Sequence, residues 1–194
     1  MINLTRPVCP NPNALQSNNY KHPTNKSALA SASNDKCMYC ESQISHIDFA
    51  HVEHIKPKAN NKYPELEYEW DNHGYACPKC NINKSDKYYE ETPYIDPYSE
   101  DPKENIFASG ALLFQRNGSE RGEISIRDIG LNRAELIEKR MARISEIGKA
   151  LNAAHRSINR TLKEAAISEL EHEAMPDKEY SMCINAFLQS NNNA

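Results

Sequence analysis

Apolar side chains recur at helical intervals over the last third of the sequence. From Leu131 onwards, Ile137, Met141, Ile144 and Leu151 are separated by three, four or seven residues. This spacing places them along one stripe, so the pattern predicts a helix with an apolar face. That face must pack against the rest of the fold or against a partner.

Two more helices are predicted near the end of the sequence. The first covers about 157–173, and Pro176 then interrupts because proline lacks the amide hydrogen that a helix interior needs. The second covers about 178–189. We therefore expect residues 131–194 to form a helical region, which is also a candidate docking surface for a partner.

A β-hairpin is predicted ahead of these helices. The two strands are Ala111–Arg116 and Glu123–Arg127, and the residues between them contain the Asn-Gly pair typical of hairpin turns. Residues 91–104 carry three prolines and are predicted to be a surface loop. The segment 91–130 is thus expected to consist of a loop and a hairpin.

The first 36 residues are predicted to contribute little to the core. Residues 1–23 are rich in Asn and Pro and lack any apolar period, which predicts an extended arm. Thr24 is a candidate N-cap for a short helix that runs through Ser33.

Composition and charge limit the class of protein. The 194 residues carry a formal net charge of −4 and contain no apolar run of about eighteen residues, so no membrane helix is expected. The first residues lack the apolar stretch of a signal peptide, and we expect a cytoplasmic protein with no membrane partner. A nucleic-acid site on this acidic chain must be a local patch, depend on a bound metal or be completed by a partner.

Four of the six cysteines form two CxxC pairs, namely Cys37 with Cys40 and Cys77 with Cys80. Two such pairs can complete a tetrahedral zinc site made of four thiolates. Because sulfur fills every position, the predicted zinc is structural and not catalytic. The alternative is four free or disulfide-bonded cysteines, and the lack of a signal-peptide pattern argues against disulfides.

Acidic, imidazole and amide side chains lie between and just after these pairs. The run His-Val-Glu-His at 51–54 comes first, Asn72 precedes the second pair, Asn81 directly follows it, and Lys84 comes three residues later. This order resembles the HNH endonuclease family over about residues 37–87. The resemblance implies a ββα-metal fold that hydrolyses phosphodiester bonds in nucleic acid with one divalent metal ion.

Three of these residues have predicted roles at the reacting phosphate. His54 is the expected general base, because imidazole titrates near neutral pH. Glu53 is expected to ligate Mg²⁺ or Mn²⁺, which prefer oxygen ligands. Asn81 is expected to add a second oxygen ligand, with Asn83 as the alternative.

Two further residues are predicted to support the site. The family pattern implies that Asn72 orients His54 through a main-chain contact. A helix over 78–88 would place Lys84 on the same face as Asn81 and Tyr88, where its ammonium group can meet a phosphate oxygen. The alternative for this lysine is a solvated surface position.

The histidines raise one difficulty and one alternative. Adjacent residues of a regular strand point to opposite faces, so Glu53 and His54 reach one phosphate only where the strand bends or ends. His51 and His54 are three residues apart, which does not fit the four-residue spacing of zinc hydrolases. His51 is therefore expected to lie beside the site or to be an ordinary polar strand residue, while His46 and His73 are expected on the surface.

A longer stretch, to about residue 150, resembles the HNH nuclease subunit of Septu-type and retron-associated anti-phage systems. The resemblance rests on the runs VEHIKPK, YPELEYEWDN, ACPKCNINK, IDPYSEDP and LNR. It implies a defence nuclease, which we expect to act on DNA together with a partner ATPase of the AAA or ABC type. The rival hypothesis is a non-catalytic zinc module that binds nucleic acid or protein.

The predicted fold class is α+β, with a zinc-stapled ββα-metal core over residues 37–90. An N-terminal arm and short helix over 1–36 precede this core. The loop and hairpin of 91–130 and the helices of 131–194 follow it. The sequence alone leaves open the choice between DNA and RNA, the catalytic metal, the oligomeric state, activity without a partner, and the role of His51.

Overall fold

The computed structural model describes residues 1–44 and 50–192. Within them the chain is a mixed α and β structure, which confirms the predicted α+β class. His46, which was expected on the surface, lies outside the described residues. The α-helices are α1 Pro12–Gln16, α2 Pro23–Ala32, α3 Pro78–Lys84, α4 Glu120–Ile129, α5 Ala134–Arg156, α6 Arg160–His172 and α7 Ser181–Asn192, and the strands are β1 His51–His54, β2 His73–Ala76, β3 Ile106–Ser109 and β4 Leu112–Gln115.

The described strands form two antiparallel pairs. Strand β1 pairs with β2 so that His51 faces Ala76 and His54 faces His73. Strand β3 pairs with β4 around a turn in which Gly110 has a positive φ of 57°. Glycine adopts this backbone conformation without a steric penalty, so it fits the tight turn between the two strands.

The predicted hairpin is wrong in its second strand. Residues Glu123–Arg127 belong to helix α4, because the Ser119 side chain accepts a hydrogen bond from the Gly122 amide and caps the helix start. Gly130, in a left-handed conformation, ends the same helix. The Asn-Gly pair does form a turn, but that turn leads into a helix, and the partner of β4 lies before it in the chain.

The N-terminal residues are not the exposed arm that their composition predicted. Met1 and Leu4 are buried in the main core cluster, and Leu15 is buried on helix α1. Helix α2 closely matches the predicted helix. Asn25 within it exchanges hydrogen bonds of 2.9 Å with the main chain of Asn11, so the two short helices are fixed to each other. Scattered apolar residues, too few to show a period, are enough to anchor this segment.

The C-terminal helices pack on the rest of the molecule and on one another. Helix α5 lies against α6 and α7, and the residues Ile147, Leu151, Leu170, Ile184 and Leu188 form a second apolar cluster there. The prediction of three helices after residue 131 is confirmed. In the part of the chain that the structure describes, no helix combines the length and the apolar character needed to cross a bilayer.

Candidate functional site

Strands β1 and β2 and helix α3 frame the candidate site. Pro78 opens helix α3, where its missing amide hydrogen costs nothing. The helix ends at Lys84, because Ser85 adopts a positive φ of 53°. The predicted helix over 78–88 is therefore too long, and Tyr88 does not share a helical face with Asn81.

The four cysteines of the two CxxC pairs converge beside this frame. Their sulfur atoms all lie within 4.8 Å of one another, and the sulfurs of Cys40 and Cys77 are 3.9 Å apart. Four thiolates about 2.3 Å from one ion in a tetrahedron have sulfurs about 3.8 Å apart, so the group fits a zinc ion. None of the six cysteines forms a disulfide.

Arg133 completes the surroundings of the sulfur cluster. Its guanidinium group donates to the sulfur of Cys80 at 3.5 Å and to the sulfur of Cys40 at 3.9 Å. Burial works against the charged guanidinium, but the two sulfurs outweigh burial, and the net pKa of Arg133 is raised. Because Arg133 directly precedes helix α5, it also links the cysteine cluster to the C-terminal helices.

Glu53 is the most enclosed acidic group of the site. Its side chain is 2% exposed, and one carboxylate oxygen accepts from Lys84 at 2.8 Å and from the Tyr39 hydroxyl at 3.2 Å. The other oxygen accepts from the side-chain amide of Asn81. Burial raises the pKa of the Glu53 carboxyl, and the ammonium group of Lys84 offsets only part of that effect.

These contacts place Lys84 differently from the predicted phosphate contact. Its side chain is 1% exposed, and the ammonium group also donates to the main-chain oxygen of His54 at 2.8 Å. Lys84 thus lies beneath strand β1, where it holds the carboxylate of Glu53. The alternative of a solvated lysine is wrong as well.

The pair of Glu53 and Asn81 fits a hard divalent cation. The amide nitrogen of Asn81 contacts the carboxylate, and a half-turn of the amide would present its oxygen there instead. Carboxylate and amide oxygens are ligands that Mg²⁺ accepts, with water and phosphate filling the remaining positions. An entering ion must displace the present hydrogen bond. Asn83, the predicted alternative ligand, donates to the main-chain oxygen of Ile129 instead.

His54 lies on the other side of strand β1 from helix α3. Its Nε2 atom is 3.0 Å from the main-chain oxygen of Glu67, and its ring meets that of Tyr20 edge-on with centroids 4.7 Å apart. A carbonyl oxygen can only accept, so Nε2 carries the hydrogen and Nδ1 keeps a free lone pair. Burial lowers the pKa of His54 to about 4, so the imidazole is neutral at pH 7.

Asn72 fastens the loop that carries the acceptor of His54. Its side chain accepts from the Lys56 amide at 2.7 Å and donates to the oxygens of Lys56 and Leu66 at 2.9 and 3.0 Å. Leu66 directly precedes Glu67, whose oxygen contacts the imidazole. Asn72 thus holds two stretches of main chain near His54, and the predicted role of Asn72 in orienting His54 stays a prediction.

One cleft of about 550 Å³ brings these groups together. Glu53, His54 and Asn81 are all among the residues that line it. His51 also lines this cleft, which agrees with a position beside the site. The other lining residues include Tyr20, Lys21, Lys26, Lys58, Ile82 and Ser85.

Comparison with known proteins agrees with this geometry. Residues 37–87, which hold the four cysteines, both strands and helix α3, match the family model described as HNH endonuclease. This segment is similar to HNH endonuclease domains. The predicted family is thereby confirmed for the part of the chain that carries the site.

The matches to two curated relatives extend beyond residues 37–87. The Septu protein PtuB of Bacillus mycoides (strain KBAB4) is 31% identical over 150 residues, which cover 62% of this chain and 51% of that protein. The Septu protein PtuB of Bacillus thuringiensis is 28% identical over 217 residues, which cover 98% of this chain and 83% of that protein. The chain thus matches about half the length of the first relative.

His73 is the residue of the HNH domain that sequence reasoning misplaced. It was expected on the surface, yet it is 0% exposed, and its Nε2 atom is 2.9 Å from the same Glu67 oxygen that His54 contacts. Its ring meets the His54 ring edge-on at 4.9 Å. His73 is buried because it pairs with His54 between two buried strands. This pairing cannot be read from the sequence, so the burial was not predicted.

The burial of these two histidines predicts that the protein loses stability in acid. Burial lowers the pKa of both His54 and His73, so the unfolded chain takes up their protons at a higher pH than the native state does. As pH falls below about 6.5, each histidine should remove up to about 1.4 kcal/mol of unfolding free energy per pH unit. Denaturant unfolding at several pH values measures the slope. His73→Gln should flatten it, and an unchanged slope would contradict this assignment.

The contacts of Arg133 predict a looser zinc site in Arg133→Leu. Loss of a group that hydrogen-bonds to metal ligands lowers metal affinity by about 10–100-fold. A chelator should therefore extract zinc more readily from this variant. Competition with a chromogenic chelator measures this. Arg156→Leu, at the exposed far end of the same helix, is the matched control. Equal zinc retention in both variants would show that the two sulfur contacts contribute nothing.

Proposed function

We propose that this protein is a metal-dependent endonuclease that hydrolyses phosphodiester bonds in DNA. The observation that carries the proposal is that His54, Glu53 and Asn81 line one cleft, in which the Glu53 carboxylate contacts the Asn81 amide. Hydrolysis needs a base for the attacking water and a cation for the phosphate, and this cleft offers a group for each.

The imidazole of His54 is set up to take a proton from water. The hydrogen on Nε2 is directed to the main-chain oxygen of Glu67, and Nδ1 has no hydrogen-bond partner among residues 1–44 and 50–192. Nδ1 takes one proton from water, the water oxygen bonds to phosphorus, and the bond from phosphorus to the leaving oxygen breaks. Asn72 holds the loop that fixes the ring during this step.

Glu53 and Asn81 are the residues that would hold the divalent cation. Bound there, Mg²⁺ or Mn²⁺ would neutralise charge on the scissile phosphate and on the leaving oxygen. Lys84 and Tyr39 anchor the other carboxylate oxygen, so Glu53 keeps one oxygen directed at the cleft. Lys84 is therefore a positioning residue in this proposal, and its ammonium group acts on Glu53 and not on the phosphate.

The cysteine cluster would act mechanically. Zinc would join the chain before strand β1 to the start of helix α3, and both elements carry groups of the cleft. A site filled by four sulfurs leaves no position for water or phosphate. We assign zinc to structure and the second, oxygen-bound cation to chemistry.

The relatives suggest a setting for this activity. Because both are Septu proteins, we propose that the chain is the nuclease of an anti-phage defence system and works with an ATPase of the AAA or ABC type. Met141 on helix α5, Leu162 on helix α6 and Ile158 between the two helices are exposed, and we propose that the ATPase docks on this helical region. An endonuclease of this kind acts in the cytoplasm.

A cleavage assay with defined metals tests the proposed activity. We expect Mg²⁺ or Mn²⁺ to support nicking of supercoiled plasmid, and we expect no nicking when neither ion is added, because the four-sulfur site leaves zinc no open position. Glu53→Gln should need much more metal, because it exchanges a charged ligand for a neutral one. The assay is run with and without the co-expressed ATPase. Binding of DNA with no cleavage under any of these conditions would instead favour a non-catalytic zinc module.

A further inference from the structure

The N-terminal segment over residues 12–32 forms one side of the nuclease cleft. Tyr20, Lys21 and Lys26 lie between or on helices α1 and α2, and all three line the same space as His54 and Asn81. The HNH family match begins only at residue 37, so these residues lie outside it. One wall of the site therefore comes from a segment outside the family match.

Both lysines of this wall lack an ion pair among the residues that the structure describes. Neither Lys21 nor Lys26 forms an ion pair with any residue in the described ranges 1–44 and 50–192. By contrast, Lys58 across the cleft is bound to Glu67 at 2.8 Å. An unpaired ammonium group beside a phosphate-cleaving site is available to a phosphate oxygen.

The wall is held rigidly enough to position those charges. Asn25 is buried and joins α2 to the main chain of Asn11, and Leu29 of α2 is buried in the main core. Tyr20 packs on His54, with the ammonium groups of Lys58 and Lys21 at 4.7 and 5.5 Å from its ring centroid. Lys21 thus lies next to the ring that packs on the His54 imidazole, and Lys26 lies on the helix that Asn25 and Leu29 hold in place.

We propose that Lys21 and Lys26 bind DNA phosphates that flank the scissile one, so that the substrate strand runs along the N-terminal wall. This proposal rests on the proposed nuclease function and adds the path of the substrate to it. It also answers the problem of net charge. A chain with a formal charge of −4 cannot attract DNA as a whole, so its contacts must come from a local group of cations such as this one.

The test compares Lys21→Gln/Lys26→Gln with the control pair Lys149→Gln/Lys163→Gln. The control lysines lie on α5 and α6, form no ion pair within the described residues and do not line the cleft. Binding of a labelled DNA duplex and of a labelled single strand is measured without added Mg²⁺ or Mn²⁺, between about 50 and 200 mM salt. Cleavage is then measured with Mn²⁺ to separate KM from kcat.

We expect the cleft variant to bind DNA roughly tenfold more weakly and to lower the salt slope by about 2, one unit for each lost phosphate contact. KM should rise in the same proportion, with kcat within about threefold of wild type, and the control pair should match wild type in every measurement. Equal affinity and equal salt slope in the two pairs would overturn the proposal. If wild type binds DNA and only the cleft variant loses affinity, but no protein cleaves, the phosphate path stands and the proposed activity fails.

Discussion

Replacing His54 with alanine should lower the rate of DNA cleavage by about 10²–10⁴-fold, the usual contribution of a positioned general base. Affinity for DNA and zinc content should stay at the wild-type level, because His54 contacts neither the cysteines nor the lysines of the N-terminal wall by a hydrogen bond. His73 is the nearest imidazole, but its Nδ1 atom is buried with no partner among the described residues. It is therefore unable to replace the missing base.

Two controls separate loss of the base from loss of structure. His155→Ala, on the exposed end of helix α5, should cleave like wild type. Added imidazole should partly restore the His54→Ala enzyme, because the missing ring leaves a space beside Tyr20. A His54→Ala protein that cleaves within about threefold of wild type would remove this residue from the chemistry.

Replacing Cys77 with serine should abolish zinc binding and the folded state together. Binding of structural zinc contributes on the order of 10 kcal/mol to small zinc modules, which is comparable to the whole stability of an ordinary domain. Cys77 also begins helix α3, so its loss frees the element that carries Asn81 and Lys84. We expect insoluble protein, or soluble protein with a flattened unfolding transition and less than one zinc per chain.

Cys9→Ser is the matched control for this substitution. Cys9 is partly exposed, and its thiol contacts only the Asn25 side chain within the described residues. Zinc content by mass spectrometry and thermal unfolding should stay close to wild type for this variant. A Cys77→Ser protein with full zinc and a cooperative transition would show that the four-sulfur site is not the staple of the fold.

The features that the sequence predicted correctly are those encoded within a few residues. Each CxxC pair needs only its own local spacing, and two pairs imply the zinc site wherever the chain brings them together. The helix of α5 is also a local pattern and is confirmed, but the predicted apolar stripe is wrong in part, because Met141 is 59% exposed and the buried face includes Leu136 and Ile147. The Glu-His pair at the end of a short strand likewise belongs to one segment.

The features that were missed depend on contacts between distant segments. The burial of His73 follows from the pairing of its strand with β1. Lys84 lies away from the expected phosphate position because helix α3, which Ser85 terminates, places it beneath β1. The second strand of the hairpin was misassigned because Ser119 caps a helix, and this competed with the Asn-Gly signal. One wall of the cleft is formed by the N-terminal segment, whose sequence shows no regular spacing of apolar residues. Tyr20 reaches the cleft because it packs on His54, and no sequence pattern indicates that contact.

The location of a bound Mn²⁺ ion is the most direct test of the proposed site. Crystals of the protein soaked with Mn²⁺ can be examined by anomalous diffraction, which locates Mn²⁺ and Zn²⁺ separately at their absorption edges. We predict zinc among the four cysteines and Mn²⁺ about 2.1 Å from oxygens of Glu53 and Asn81, with the amide of Asn81 rotated. Mn²⁺ at another place, with Asn81 still donating to Glu53, would contradict the account.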